Sequence, residues 1–498
     1  MSEPGAVRDA AASGRGVEGP GRPDGQRRVS EDRWVPGNRW NLVDGLVPDP
    51  LPRVSVIVAH YEQGDALART LRALARQEYP PELLEVIVAD DGSRHPIDVP
   101  EGVRVVRQED RGFRLSAVRN LGVRASTGEV LCFLDADTAP ETGYVRTLTR
   151  LPALLPDAVT VGRRRHADLS RLPADAPISR AAETALPEPE WLADEYARTG
   201  NLLEADDRSY RYVIGAVMAC SRALFDEVGG FDESFTEYGG EDWEWTHRAW
   251  QAGAVLAHVP EAVAWHDGPD WAGREDDRRD AANTQTLRLA AAIPVAGSAG
   301  RGLLPSTPDL VVHLRGVHAA ASVFVFVDSV LAAFPLARVV LDEVPDVDVL
   351  RGDPRVVRAD AGGGAGSVGG GGGVGDGVGF GAGDGGGVAV VGGADDARVT
   401  WTLDHPVGVL ASAGRMLADR LSGLGTGSVG SLELRAGDGR PAGTVVSRRA
   451  RRRAARWGTS AGFDVESLIV EGLRVLTATP HVEAYVGGWG TPDRIAGR

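Results

Sequence analysis

The chain changes character at about residue 50. Residues 1–50 are rich in Gly, Pro, Arg, Asp and Glu without hydrophobic periodicity, so this segment is expected to be mostly disordered, with the stretch 34–40 able to dock locally. From residue 53, short apolar runs alternate with helical spacing: a run at 54–58, helical spacing over 65–75, runs at 84–89 and 103–106, a helical stretch over 116–125, and a run at 130–134. Strands alternating with helices predict a largely parallel sheet with its ligands beyond the carboxyl ends of the strands. A first α/β domain over 51–294 follows, then a linker over 295–308 and a second α/β region over 309–498. The second region is interrupted by a glycine-rich insertion, 361–393, in which 17 of the 27 residues 361–387 are glycine. Such a tract loses too much backbone entropy to pack, so it reads as a flexible insertion. The most apolar window, 319–337, carries Asp328 at its centre and Pro335 near its end, which suits a buried helix better than a membrane span.

Composition narrows the partners. With 54 Lys and Arg against 70 Asp and Glu, the formal charge of -16 argues against a nucleic-acid binder, and an anionic substrate needs local cations or a metal. The two cysteines, Cys132 and Cys220, sit inside apolar strings and read as buried small hydrophobes in a reducing compartment. The N-terminus lacks a basic start followed by an apolar core, so a cytoplasmic location is expected. The cluster Arg448, Arg449, Arg451, Arg452, Arg453 and Arg456 reads first as a solvated helix face and second as a peripheral contact with an anionic membrane or polymer.

The turn after the first run reads Ala59-His60-Tyr61-Glu62, not a glycine fingerprint, and no glycine-lysine phosphate loop occurs, so dinucleotide and P-loop readings drop out. The strand ends are acidic instead. Asp90-Asp91-Gly92-Ser93 follows the second run, and Asp135-Ala136-Asp137 follows the fourth, where two carboxylates can hold a hard divalent cation bridging a diphosphate. Further on, Gly239-Gly240-Glu241-Asp242-Trp243 opens a helix whose first turn favours carboxylates. Glycines before the acidic pair let a ligand approach the backbone, and Trp243 offers an apolar face for a sugar ring. A glycoside hydrolase also uses two carboxylates, but it does not need a metal-binding pair at a nucleotide-type strand end.

Three ordered stretches, VSVIVAHYEQGDALARTLRALARQEYPPELLEVIVADDGS, RLSAVRNLGVRASTGEVLCFLDADTAP and GGFDESFTEYGGEDWEWTHRAWQAG, resemble the family 2 inverting glycosyltransferases of the GT-A fold. The third resembles in particular the branch with a galactosyltransferase-like C-terminal part. The resemblance implies a Rossmann-like, mostly parallel sheet, a nucleotide diphosphate-sugar donor, commonly a UDP-sugar, and a saccharide or glycoconjugate acceptor. It also implies a divalent cation, Mn²⁺ or Mg²⁺. On this resemblance Ala59, Tyr61 and Glu62 line the nucleoside pocket, Asp90 contacts base or ribose, and Asp91 supports that loop. Arg119 and Asn120 shape the donor site, Asp135 and Asp137 bind the metal, and His266 completes its shell. Asp242 is the catalytic base and Glu241 its acceptor-binding neighbour, with Gly240 and Trp243 beside them. Inversion is a single in-line displacement, so one carboxylate must take the acceptor proton while the metal offsets charge on the leaving diphosphate.

The second region reads as a degenerate copy of the first. The segments 310–314, 317–334 and 338–341 repeat the strand-helix-strand order, 353–358 echoes 102–107, and 445–450 echoes 218–223. Only Asp404 stands in place of the Asp-X-Asp pair, and no Glu-Asp pair follows. A packing or acceptor-guiding role is expected, the alternatives being a two-domain polysaccharide polymerase with both sites active or an inactive sugar-nucleotide-binding protein.

Overall fold

The run at 54–58 becomes the middle of the first sheet. All seven residues of strand β1 (Val54–His60) are buried, and each of Val54, Val56, Ile57 and Val58, fully removed from water, contributes about 1.5–3 kcal/mol. The computed structural model describes residues 33–237, 239–269, 278–295, 297–359, 396–458 and 462–487. Residues 1–32 and the glycine-rich insertion, for which disorder and flexibility were expected, lie outside them.

Around β1 a nine-stranded sheet forms from β2 (Leu84–Asp90), β3 (Arg104–Arg107), β4 (Val130–Asp135), β5 (Thr138–Pro140), β6 (Ala158–Ala167), β7 (Ala185–Leu186), β8 (Val217–Ser221) and β9 (Val255–Asp267). Its order is β3-β2-β1-β4-β8-β6-β9-β5, with β7 on β6. The half from β3 to β4 is parallel, as the alternation predicts, and β8 runs antiparallel to both β4 and β6. Register sets the site: His60 pairs with Asp90 across β1 and β2, and Ala59 pairs with Asp135 across β1 and β4, so the acidic strand ends meet at one edge.

The second domain has its own core and repeats this topology. Its strands are β10 (Leu310–Leu314), β11 (Arg338–Leu341), β12 (Val356–Arg358), β13 (Val399–Leu403), β14 (Val407–Val409), β15 (Val429–Ala436), β16 (Pro441–Ser447), β17 (Asp464–Val470) and β18 (Leu473–Val475). The main sheet runs β12-β11-β10-β13-β16-β15-β17, strand for strand the order of β3-β2-β1-β4-β8-β6-β9, with parallel and antiparallel pairs in the same places. The β14–β18 pair repeats the antiparallel pairing of β5 with the end of β9. In both copies a serine caps the next helix: Ser221 Oγ accepts from Leu224 N (3.1 Å) and Ser447 Oγ from Ala450 N (3.2 Å). This puts Ser447 on Ser221, one residue off the register in which 445–450 echoes 218–223.

Two expectations from sequence are corrected. The stretch 34–40 docks as expected, but order extends over 33–50: Val35 and Val43 are buried against Leu151, Leu155 and Val255, and the Asn38 side chain exchanges hydrogen bonds with the Leu256 backbone, donating at 2.9 Å and accepting at 2.8 Å. These contacts are too sparse along the chain to leave a periodic signal. The arginine cluster is not a solvated face either. Arg449 and Arg453 are buried between the two domains, and Arg456 pairs with Asp157 and Glu227 of the first, so these three are withdrawn from any membrane surface. No helix among the described residues is long and apolar enough to cross a membrane.

Candidate active site

At the carboxyl edge of β1, β2 and β4 lies a cavity of about 400 Å³, lined by Ala59, Tyr61, Asp91, Asp135, Asp137 and His266 among the residues singled out from sequence. His60, Gln63 and Phe113 also line it and were missed. His60 offered no signal beyond its place as the last residue of a buried strand. Its Nε2 accepts from Gln63 N (3.1 Å), which leaves the proton on Nδ1, 3.1 Å from Asp90 Oδ1.

The two neighbouring aspartates have exchanged expected places. Asp90 is fully buried and does not line the cavity; its carboxylate accepts from Ser93 Oγ (2.6 Å) and Ser93 N and faces Arg107 Nε at 3.3 Å. It holds the 90–93 turn. Asp91 lines the cavity and accepts from Gln108 Nε2 (2.5 Å) and Arg114 N (2.9 Å), while burial raises its carboxyl. Side chains alternate along a strand, so the one at the strand's last inward position is committed to the core and the next is free. Glu62, at φ 54°, does not line the cavity. It accepts from Arg94 N (2.7 Å) and faces His95, contacts that hold its carboxyl down to about 2.

Arg119 joins the two acidic motifs. Only 2% exposed, it donates through Nη2 to Asp135 Oδ1 (2.9 Å) and through Nη1 to Glu241 Oε1 (3.0 Å). Burial works against its charge, but Asp135, Glu241 and Asp242 more than offset that and hold its proton tighter than usual. Burial, and then the charge of Asp242, pushes Glu241 up to about 7. Burial also raises Asp242, opposed by the N–H of Gly215, which donates to Asp242 Oδ2 at 2.9 Å. Gly215, another residue missed, leaves little room for a side chain: a Cβ there would meet Arg119 Nη1 at 2.8 Å and Asp242 Cβ at 3.1 Å, so both would have to shift.

Asp137 accepts from Gln63 Nε2 (3.1 Å), and its carboxyl is raised by burial and by Asp135. His266 Nε2 stands 3.7 Å from Asp137 Oδ2, beyond hydrogen-bond reach, so two carboxylates and an imidazole face one space. Such a donor set suits a divalent cation, although no closed group of three or more such ligands occurs among the described residues. Arg119, Glu241 and Asp242 do not line the cavity, and the remaining expected residues lie away from it as well. Asn120 clamps the loop before the acidic helix, donating to Phe231 O (2.8 Å) and accepting from Phe231 N (3.0 Å). Gly240, the N-cap at φ 96°, packs beneath Gln285 and Leu289 of the helix Arg278–Ala292. Trp243 is half-buried edge-on to Tyr210, 6.4 Å between ring centroids, beside Phe235 and Leu289.

An α/β domain with an acidic strand-end pair bridged to an acidic helix start is the arrangement expected of a nucleotide-sugar transferase domain. Residues 55–227 match the family described as "Glycosyl transferase family 2", and residues 205–264 match "N-terminal domain of galactosyltransferase". Residues 55–264 of the first domain are thus similar to glycosyl transferase family 2, with a galactosyltransferase-type C-terminal part. The chain is 30% identical over 277 residues to a chondroitin synthase of Escherichia coli, covering 51% of this chain and 39% of that protein. It is 32% identical over 253 residues to a validoxylamine A glucosyltransferase of Streptomyces hygroscopicus subsp. limoneus, covering 47% of this chain and 56% of that protein. The chain thus spans less than two thirds of either relative. A solved mannosyltransferase of Pyrobaculum calidifontis is 18% identical, covering 53% of this chain and 66% of that one at a TM-score of 0.34.

Proposed function

We propose that the protein is an inverting, metal-dependent glycosyltransferase that moves a hexosyl or N-acetylhexosaminyl group from a nucleotide diphosphate-sugar, a UDP-sugar by preference, to an acceptor hydroxyl on a saccharide or glycoconjugate. The observation that carries this is the buried Arg119 bridge, which ties Asp135 of the strand-end pair to Glu241 of the helix-start pair. Tyr61 and Phe113, both exposed at the cavity, offer rings to the base, and Asp91 stands where a ribose or base edge is recognised. Asp135, Asp137 and His266 would hold Mn²⁺ or Mg²⁺, which supplies positive charge against the departing diphosphate. Asp242, raised by burial and fixed by two backbone N–H groups, takes the acceptor proton as the new bond forms, and Glu241 orients the acceptor hydroxyl. Both cysteines are free and buried, in keeping with a reducing, cytoplasmic setting.

The relatives carry names as different as chondroitin synthase and validoxylamine A glucosyltransferase, so the reaction class is proposed more narrowly than the substrate. The test is release of nucleoside diphosphate from a panel of UDP- and GDP-sugars with Mn²⁺, for the native enzyme, Asp242→Asn and Asp137→Ala. Asp242→Asn should lose about 10³-fold or more in turnover with nucleotide affinity kept, whereas Asp137→Ala should lose metal-dependent nucleotide binding. Near-normal turnover in Asp242→Asn removes that residue from the base role.

A further inference from the structure

The acidic pair Glu241–Asp242 sits at the start of the helix Glu241–Gln251, and the other end of that helix meets the second domain. Its C-terminal carbonyls and the turn after it are taken up by arginines of one second-domain helix, Arg448–Trp457. Arg449 Nη1 donates to Trp250 O (2.5 Å) and Ala254 O (3.0 Å), Arg453 Nε to Gly253 O (2.9 Å), and Arg456 Nη2 to Ala252 O (2.9 Å). The Arg449 guanidinium carbon also lies over the Trp250 ring, 3.3 Å from its centroid. A third link runs through Trp250 Nε1, which donates to Asp207 Oδ1 (2.8 Å) while Asp207 Oδ2 pairs with Arg398 of the second domain at 3.1 Å.

These contacts are built for register and not merely for cohesion. A helix leaves its last carbonyls without partners and carries partial negative charge there, so guanidinium groups satisfy and complement that end. Burying cations is expensive, and apolar residues of similar volume would join two domains at least as well. What arginines add is direction: each donor fixes a named carbonyl within a few tenths of an ångström. Gly253 shows how close the fit is, because a Cβ there would meet Arg453 Cγ at 2.7 Å. An 11-residue helix is a rod of about 16 Å, short enough to pass a shift at one end to the other.

We infer that the second domain, which keeps one carboxylate, Asp404, in place of the Asp135–Asp137 pair, serves as the buttress of the helix that presents Asp242, with Arg449 as its main positioning residue. This rests on the transferase reading of Asp242, and the test separates the two. In the full chain, Arg449→Met should lower kcat about tenfold or more while leaving donor KM and calorimetric UDP–Mn²⁺ affinity within about twofold, and Arg449→Lys, which keeps the charge without the flat fork, should recover part of the loss. In parallel, hydrogen exchange of the backbone amides of 244–251 should quicken in Arg449→Met while amides of β1 and β4 keep their protection. That second readout needs no activity, so it still decides the matter if no donor is turned over and the transferase reading itself fails. Unchanged kcat with unchanged exchange in that helix overturns the inference, and so does a kcat loss matched by an equal loss of nucleotide affinity. If Arg449→Met does not fold, Arg449→Lys carries the same criteria.

Discussion

Replacing Arg119 by methionine removes a group that touches both acidic motifs through their carboxylates, and its cost should depend on pH in a way that other core substitutions do not. Removing one partner of a buried ion pair ordinarily costs about 3–5 kcal/mol, because the other charge is left without compensation. Two features lower that figure here. Asp135 is 31% exposed, so water screens much of its charge, and Glu241, already pushed up to about 7, can take a proton near neutral pH at little expense. We therefore expect a loss of about 1–3 kcal/mol at about pH 6, where Glu241 is protonated in either protein. The sign above that pH is fixed. Glu241 has a folded-state pKa above its unfolded value, so the stability it lends is present at low pH and lost as pH rises through about 7. Without Arg119 its carboxyl moves higher still, and that loss runs on for longer. The deficit of Arg119→Met should widen by up to about 1.4 kcal/mol per pH unit above neutrality. Urea unfolding of the first domain at about pH 6 and pH 8, followed by tryptophan fluorescence, measures it, with Arg119→Lys expected to fall between. A deficit of the same size at both pH values refutes the placement of Glu241 as the buried acid that Arg119 compensates.

The exchange of roles between Asp90 and Asp91 predicts opposite phenotypes for adjacent alanines. Asp90→Ala strips the acceptor from Ser93 and the partner from His60 and Arg107 and should cost about 2–4 kcal/mol, seen as a lower melting temperature, whereas Asp91→Ala should cost about 1 kcal/mol and weaken UDP binding about tenfold. Equal melting temperatures for the two variants would contradict this. Gly215→Ala forces a Cβ against both Arg119 and Asp242, so turnover should fall at least tenfold with UDP–Mn²⁺ affinity kept; a fully active variant would show that the Asp242 carboxylate has slack.

Much of the fold was legible because parallel strands buried on both faces write continuous apolar runs: 54–58, 84–89 and 130–134 all became strands of the central sheet. The strand-end carboxylates followed from that placement. What the pattern did not carry is side-chain direction at strand ends, so Asp90 and Asp91 traded places, and Glu62 turned to Arg94 and His95 instead of the cavity. Gly215 and Gln63 stayed hidden because neither has a sequence signal: their importance lies in what fits beside them in three dimensions. The arginine run 448–456 misled for a related reason. Its charges read as solvent-facing in one dimension, and the docking of two domains supplies most of the carbonyls that let Arg449 and Arg453 be buried.

The second domain keeps the strand order of the first, which raises the question whether it binds nucleotide as well. Register answers it residue by residue. Leu310 pairs with Val399 as Val54 pairs with Val130, so Arg315 falls in the place of Ala59, Asp404 in that of Asp135, and Pro406 in that of Asp137. The first exchange puts a guanidinium where the donor pocket begins, and it pairs with Asp404 at 2.7 Å; the last removes the second metal carboxylate. At the positions equivalent to Asp135 and Asp137 a divalent cation would meet one carboxylate, Asp404, already paired with Arg315, so affinity should fall below that of a two-carboxylate pair. Between the helix Arg448–Trp457 and β17 only residues 458–463 intervene, too few for a counterpart of the 11-residue helix that opens with Glu241 and Asp242. We expect calorimetry with UDP and Mn²⁺ to return one equivalent per chain, Asp137→Ala to abolish it, and Asp404→Ala to leave it unchanged. Two equivalents in the native protein, or binding that survives Asp137→Ala and disappears in Asp404→Ala, would mean that Arg315 moves aside for a ligand and that the chain carries two working donor sites, as a two-domain polymerase requires.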